Sequence, residues 1–529
     1  MNIYKNIMET LQEEINKKID YFKSINGIND DQFKVISIAL KKATSFDELD
    51  ALTKIFDQRV GFGFKFDEAP HVKDATAIPV LEKDGNHQIK NQSVSQLIPN
   101  GKTPPNHVLI IGENLQVLQN LLIIYRNKVD IIYIDPPYNT GGSDLGYKDK
   151  YSKNAWLNLM KQRMEIAHEL LNDDGVIFVS LDDNMQAYFK VMMDGIFGED
   201  NFVCNFIWEK NYAAKSNNKF VSANHDYVLC YVKNKNTVTQ FQRLERTEKN
   251  NNLFKYDDND GRGKYEIDNL TYPGQKGYSI FNKNGIEYPE PSPNGWLYDK
   301  EKMDELITDN RIYFPPNGGV PRLKRYLSEM RGIISKTILP FSLVGSTDEN
   351  QKILDSIIGL NENKERKFVY PKGTKLIKYL INLCPKKNNQ IIMDFFAGSG
   401  TTGQAVLELN KEDGGNRQFI LCTKQFDGDE EDKDHDIGYD VCYERLYRIN
   451  NGKGTKGETF DWLKKNEPFF KSVDVYKIKP IDVSINHNPH CEWLKEIDFD
   501  IYNKWNKDLK LNKDNASTVL APLLDHLGE

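Results

Sequence analysis

Three features of the 529-residue sequence predict an α/β fold, with a mostly parallel sheet wrapped in helices and interrupted by a long insertion. Short continuous apolar runs alternate with helical periodicity between residues 108 and 181. The same alternation returns between residues 391 and 423. Between them, from about Asn211 to Lys367, the chain turns rich in Asn, Gly, Pro and Tyr, with only short strand-like pieces. Continuous apolar strands mark a sheet buried on both faces. Strand–helix–strand alternation marks parallel pairing. One sheet split around an irregular α+β module is therefore expected.

The elements follow in order. Tyr4, Met8, Leu11, Ile15, Ile19 and Phe22 recur at three- and four-residue spacing, the apolar stripe of a helix. Further helices are expected around 33–40 and 49–56. Residues 1–66 are read as a dimerisation or partner-binding arm in preference to a helical cap, and a homodimer is expected. After a polar connector come a strand at Val108–Ile111, a turn at Gly112-Glu113-Asn114 and a helix at Leu115–Tyr125. The run VDIIYI (Val129–Ile134) is a buried strand that ends at Asp135-Pro136-Pro137-Tyr138. A helix over Trp156–Leu171, a turn at Asp173-Asp174-Gly175 and a strand over Val176–Leu181 complete the first half, residues 67–205. The insertion is placed at 206–368. The second half, 369–453, holds a strand at Ile391–Phe395, a turn at Gly398-Ser399-Gly400, a helix at Thr401–Leu409 and a strand at Gln418–Thr423. The weakly patterned tail, 454–529, is expected to form a separate small unit.

Composition narrows the classes. No apolar run reaches the roughly 18 residues of a membrane span, and the N-terminus lacks a signal-peptide apolar block, so a cytoplasmic protein is expected. The six cysteines are scattered without a CxxC pair and read as reduced thiols. The net charge of −7 does not favour nucleic acid, yet a large enzyme can carry one basic face on an acidic total. Two stretches are locally basic. One holds Arg322, Lys324, Arg325, Arg331 and Lys336 with a single acid, Glu329. The other, Trp208 to Lys235, interleaves Lys210, Lys215, Lys219, Lys233 and Lys235 with Tyr212, Phe220 and Tyr227.

Two constellations carry chemistry. Asp135-Pro136-Pro137-Tyr138 sits at the C-terminal end of a buried strand, where open α/β sheets bind ligands. Two prolines remove amide donors and stiffen the loop. A carboxylate, a free carbonyl and an aromatic face then converge, a set suited to a planar base bearing an amino group. The second is Asp394-Phe395-Phe396-Ala397-Gly398-Ser399-Gly400-Thr401-Thr402-Gly403. Its glycines let the backbone approach a ligand at a helix N-terminus. Read as GxGxxG it leaves both a nicotinamide and a methionine-derived cofactor open, and no acid ends the following strand. Other candidates fail on spacing. Asp258-Asn259-Asp260-Gly261 would place Tyr256 and Ile267 at calcium-ligand positions. Gly101-Lys102-Thr103 lacks the upstream glycine of a P-loop. His487, His490 and Cys491 have no companion cluster of zinc spacing, and Asp427–Asp436 reads as a solvated acidic loop. No metal is expected. With no Walker signature, ATP-driven translocation or cleavage belongs to another polypeptide.

Together, DPPY first, then an insertion, then FxGxG (Phe396-Ala397-Gly398-Ser399-Gly400), resemble the circularly permuted β-group of DNA amino-methyltransferases. The segments IFGEDNFVCNFIWEKN, NHDYVLCYVKN, FVYPKGTKLIKYLI, DFFAGSGTTGQAVLELN and VCYERLYRI resemble the Mod subunits of type III restriction–modification systems. The resemblance covers about Val108 to Asn450 and is weaker within the insertion. It implies a class I S-adenosylmethionine-dependent methyltransferase fold, Rossmann-like, carrying an inserted target-recognition domain at 206–368. It implies methyl transfer to N6 of an adenine flipped from double-stranded DNA, with a restriction (Res) subunit as partner. Asp135, Pro136, Pro137 and Tyr138 are implied to act on the base. Asp394, Phe396, Gly398, Ser399, Gly400, Thr401, Thr402, Lys372 and Glu113 are implied on the cofactor side. Lys210, Arg322, Lys324 and Arg325 are the expected phosphate contacts. The chain departs from the family at Lys424-Gln425, where an Asn-Glu pair is common, which leaves the ribose contacts open. An N4-cytosine target, a stand-alone enzyme, a dehydrogenase and a non-catalytic specificity module are the alternatives.

Overall fold

The computed structural model describes residues 2–24, 30–59, 77–90, 107–140, 151–214, 219–316, 318–361, 363–387, 389–424, 436–483, 492–520 and 523. Lys215, Gly101-Lys102-Thr103, Gln425, His487, His490, Cys491 and the acidic run up to residue 435 lie outside the described residues. The chain forms two compact units, residues 1–69 and 70–529. The first holds helices α1 (Asn2–Ser24), α2 (Asp30–Leu40) and α3 (Phe46–Arg59). Leu11, Ile15, Phe22, Ile36, Leu40 and Leu49 form its core, so the apolar stripe closes on the neighbouring helices.

The second unit is built on a ten-stranded sheet. In chain order its strands are β1 (Ala77–Lys83), β2 (His107–Ile111), β3 (Val129–Ile134), β4 (Leu171–Leu181), β5 (Phe202–Glu209) and β6 (His225–Val232). The insertion holds a small separate sheet of β7 (Tyr265–Asp268), β8 (Ile312–Tyr313) and β9 (Arg322–Tyr326). The main sheet resumes with β10 (Ile338–Leu339), β11 (Ile391–Asp394), β12 (Gln418–Thr423) and β13 (Val473–Asp482). Its spatial order is β1-β13-β2-β12-β11-β3-β4-β6-β5-β10. The strands from β13 through β4 run parallel; β6 lies antiparallel to both β4 and β5. Helix α4 (Asn114–Tyr125) links β2 to β3, and α5 (Lys153–Leu170) links β3 to β4. A further helix, α6 (Gln186–Phe197), follows β4.

The centre of the sheet follows from side-chain alternation. Ile131 and Tyr133 point into one layer with Val176, Phe178, Ile392, Leu376, Ala405 and Leu446. Ile132 and Ile134 are equally buried and face the opposite way. All six residues of β3 are buried, as a strand covered on both faces requires.

The structure differs from the sequence reading at three places. Asp173-Asp174-Gly175 is not a turn. It lies within β4, whose start pairs with β3 across a register irregularity between Val129 and Ile131. The boundary expected at 206 falls inside β5, and β5, β6 and β10 all extend the main sheet. What is set apart is the stretch between β6 and β10, where Leu270, Ile280, Trp296, Met303, Ile312 and Leu323 make a core of their own. The tail is not a separate unit either. Its strand β13 inserts between β1 and β2, because Val473 and Val475 complete the apolar layer beside Leu109.

One buried carboxylate ties the strand starts together. Asp130, at the start of β3, accepts hydrogen bonds from the Asn172 amide (2.8 Å) and from the backbone N–H of Ile391 (2.8 Å). It also pairs with Lys387 at 2.7 Å. Asp130→Ala leaves these donors unmatched and should cost on the order of 3 kcal/mol of stability. A thermal midpoint equal to that of the parent protein would contradict this account of the sheet centre.

Candidate active site

The parallel pairs Ile392–Ile131 and Met393–Ile132 set β11 beside β3, so Asp394 and Asp135 leave neighbouring strand ends. From β11 the sheet grows through β12 one way, and from β3 through β4 the other way. A crevice opens where such an order reverses. A cavity of about 360 Å³ lies there, lined by residues of both sequence motifs and by Trp208, Lys210, Asp226, Phe368 and Lys372. Its volume suits a small ligand.

The DPPY loop is held from outside. The Trp156 indole N–H donates to the Pro137 carbonyl at 2.8 Å, and Asn139 adopts a left-handed φ of 59°. Within the loop the Tyr138 hydroxyl donates to Asp135 Oδ1 at 2.9 Å. Asp135 keeps 28% of its side chain open to the cavity. Burial pushes its pKa upward, and the nearby Lys372 ammonium and the Tyr138 hydroxyl work against that rise.

The glycine loop shows why each small residue is needed. Gly398 and Gly400 have φ of 50° and 76°. A Cβ on Gly400 would meet Cys442 Sγ at 2.9 Å, and one on Gly398 would meet the Phe368 ring at 3.3 Å. Gly400 opens helix α10 (Thr401–Asp413, numbered after α7 Lys300–Thr308, α8 Thr347–Ile358 and α9 Thr374–Leu383). No side chain caps that helix, and Ser399, Thr401 and Thr402 line the cavity. Asp394 accepts from the Phe396 N–H (3.0 Å) and the Thr402 hydroxyl (2.5 Å). Burial nevertheless pushes its pKa up to about 7.

Several expected residues sit elsewhere. Glu113 does not line the cavity. It caps α4 through the N–H groups of Leu115 (2.7 Å) and Gln116 (3.2 Å) and pairs with Arg163 at 2.5 Å. Lys210, expected on phosphate, pairs with Asp226 at 2.6 Å in the cavity wall. Lys324 is 5% exposed, paired with Asp258 at 2.5 Å, and lies 5.2 Å from the centre of the Tyr265 ring. It is not a surface phosphate contact, because its ammonium is buried against Asp258 and the Tyr265 ring. Arg325 is exposed and pairs with Asp268 at 2.6 Å; Arg322 is exposed near Asn269. Lys372 reaches the DPPY side of the cavity, 2.7 Å from the Tyr138 hydroxyl.

Among the site residues that escaped the sequence reading are Asp226, Arg445 and Tyr370. Asp226, only 2% exposed, lies between Lys210 and Lys372. Arg445, also 2% exposed, donates to the Ser399 carbonyl, the Thr401 hydroxyl and the Gln404 amide oxygen, and so braces the glycine loop. Burial pushes its pKa down to about 10. Tyr370 lines the cavity, is 63% exposed and has a left-handed φ of 57°, held by the Gln351 side chain accepting its N–H at 3.0 Å. An aromatic residue in that region of φ is uncommon and marks a constrained position.

The fold and site can now be set beside known proteins. The family model described as DNA methylase matches residues 129–444, which takes in both motifs and everything between them. The chain belongs to this DNA methylase family. A second model, of an uncharacterised conserved protein, matches residues 12–131. The type III restriction-modification enzyme StyLTI Mod subunit of Salmonella typhimurium is 34% identical, over 65% of this chain and 58% of that relative. The type III EcoP15I Mod subunit of Escherichia coli is 29% identical, over 66% of this chain and 64% of its own length. The type II methyltransferase M.KpnI of Klebsiella pneumoniae is 30% identical, over 64% and 84% respectively. The chain thus spans less than two thirds of both Mod subunits.

Asp394 supplies a test of this electrostatic picture. Its folded pKa of about 7 lies above its ordinary value of 3.8. A raised acid favours the folded state while protonated, so this contribution is complete below pH ~4 and is lost as pH rises toward ~7. Asp394→Asn should flatten that part of the stability profile. Thermal midpoints measured across the window report it, and an unchanged slope would refute the assignment.

Proposed function

We propose that this methylase transfers a methyl group from S-adenosylmethionine to the N6 amine of an adenine turned out of double-stranded DNA. It is further read as the modification subunit of a restriction–modification system. The observation that carries the reading is the single cavity wall shared by DPPY and FxGxG residues at adjacent parallel strand ends. Membership of the DNA methylase family and the likeness to type III Mod subunits support it.

The residues fit the cofactor. Positive-φ glycines, hydroxyls at Ser399 and Thr401 and an uncapped helix start offer donors suited to a carboxylate. Phe396 and Phe368 add aromatic walls. When bound, S-adenosylmethionine supplies an electrophilic methyl carbon, so the protein's tasks are alignment and acceptor placement. Asp135 and the Pro136 carbonyl would each accept one hydrogen of the target amine and direct its nitrogen. The Asp135 carboxylate can then take the proton once that nitrogen gains positive charge. Tyr138 offers a face for the base, a stacking contact of about 1–3 kcal/mol. A stacked base cannot reach this crevice, so it must be flipped at a cost of a few kcal/mol.

The stretch between β6 and β10 is proposed to read the DNA sequence, with exposed Arg322 and Arg325 facing phosphate. Its separate small core supports an appended module. The N-terminal helices are proposed as the dimer arm, since Val35 and Ile38 remain exposed on α2. A restriction subunit is the proposed partner. No described helix is long and apolar enough to cross a membrane, in keeping with the cytoplasmic location proposed here.

With labelled S-adenosylmethionine and unmethylated genomic DNA, Asp135→Ala should lower transfer by at least about 100-fold, the scale of losing one aligned polar group. Undiminished transfer would sink the mechanism, and base analysis of the product separates N6-adenine from N4-cytosine. Calorimetric titration should show that Gly400→Ala weakens cofactor binding. Gly414→Ala shares a positive φ but has open space around it, and it should bind normally.

A further inference from the structure

Four charged side chains of alternating sign line one side of the cavity. Asp135 lies 3.3 Å from Lys372, Lys372 lies 3.3 Å from Asp226, and Asp226 lies 2.6 Å from Lys210. They come from four separate places: the end of β3, the loop before α9, the start of β6 and the loop after β5. Asp226 is 2% exposed and Lys372 is 10% exposed, so neither charge is shielded mainly by water. Nor is this row a surface ornament, since Lys372 also lies over the rings of Tyr138 (4.8 Å) and Trp208 (5.2 Å).

We infer that Lys372 and Asp226 are positioning residues: Lys372 keeps Asp135 charged and aimed as the acceptor for the incoming amine, and Asp226 holds Lys372 charged and in place. This inference rests on the methyltransferase reading given above. A carboxylate taken out of water tends to protonate, and a protonated Asp135 would offer one acceptor oxygen fewer to an amino group. The ammonium of Lys372 opposes that tendency. It would itself lose its proton on burial, but the carboxylates of Asp135 and Asp226 outweigh the burial and hold its pKa above the ordinary lysine value. Lys210 in turn balances Asp226. The same ammonium donates to the Tyr138 hydroxyl at 2.7 Å, which frees that hydroxyl's proton for Asp135. Acceptor charge and aromatic orientation are thus set by one cation.

The two positioning residues act on Asp135 with opposite sign, and this makes the inference testable. The groups facing Asp135 are Lys372, Tyr138, Asp226, Tyr133 and Asp394, with Lys210 and Asp182 further along the wall. Removing the cation leaves burial and like charge opposed by the Tyr138 hydroxyl alone. Removing Asp226 takes away a like charge and leaves Lys372 to Asp135 alone. Methyl transfer to unmethylated genomic DNA would be followed against pH for the full-length chain and its variants. Lys372→Met should move the acid limb of kcat up by about 1–3 pH units, the usual reach of an opposite charge at this distance. Lys372→Arg should restore the limb, and the nearly isosteric Asp226→Asn should move it down. Infrared titration of the Asp135 carboxyl band in the free protein, identified by its loss in Asp135→Asn, should show the same directions without turnover. If the limb and the band stay in place in Lys372→Met, or move the same way in Lys372→Met and Asp226→Asn, the inference fails while the methyltransferase reading stands. Absence of transfer by the unaltered protein would overturn both. Should Lys372→Met not fold, the direction of the Asp226→Asn shift alone decides.

Discussion

The parallel pairing of β3 with β11 is the constraint from which the site follows. Two strands about 260 residues apart in the chain lie side by side, and their carboxyl ends open toward the same crevice. Each strand is apolar on both faces, so each is stable only where helices cover it on both sides. That requirement fixes the pair at the middle of the sheet. There the strand order reverses, and the loops after Ile134 and Asp394 diverge around a space instead of closing over it. Both sequence motifs are arranged around that gap.

Around it the structure handles charge in two different ways. On the glycine-loop side, Asp394 is buried with neutral donors, an N–H and a hydroxyl, and its pKa rises to about 7. On the DPPY side, Asp135 meets an ammonium within a row of alternating charges. Buried charges are costly unless paired and hydrogen-bonded, so both arrangements are expensive to build. Neither is needed to stabilise a sheet already well supplied with apolar contacts, which places their value in the site. The bracing contacts differ accordingly. Arg445 secures the glycine loop mostly through its backbone and hydroxyl groups, while Lys372 acts on side chains that face the cavity.

How much was legible in the chain depended on range. The DPPY loop could be read because an apolar run, a carboxylate and two prolines are consecutive. The glycine loop could be read because positive φ demands glycine at Gly398 and Gly400. Asp226 offered no local signal; it is an acid at the start of an ordinary apolar strand, and its partner Lys372 lies 146 residues away. Lys372 was assigned to the cofactor side from its motif, but side-chain geometry points it at Tyr138, 234 residues distant. Lys324 and Arg325 read alike as a basic pair. The pleat of β9 separated them into one buried and one exposed residue. Strand β13 was missed because its apolar alternation is short, and pairing with β1 on one side and β2 on the other selects it.

The sequence by itself determined the element types, the split of the sheet around an insertion, and the two motifs at strand ends. These are written in apolar periodicity and in glycine and proline, whose backbone consequences are local. The tertiary structure alone decided which charges meet. It placed Glu113 on a helix cap, Lys210 against Asp226, and Lys372 between two carboxylates. Such pairings depend on a few ångströms between segments distant in the chain, and that separation is set by the packing of the whole sheet.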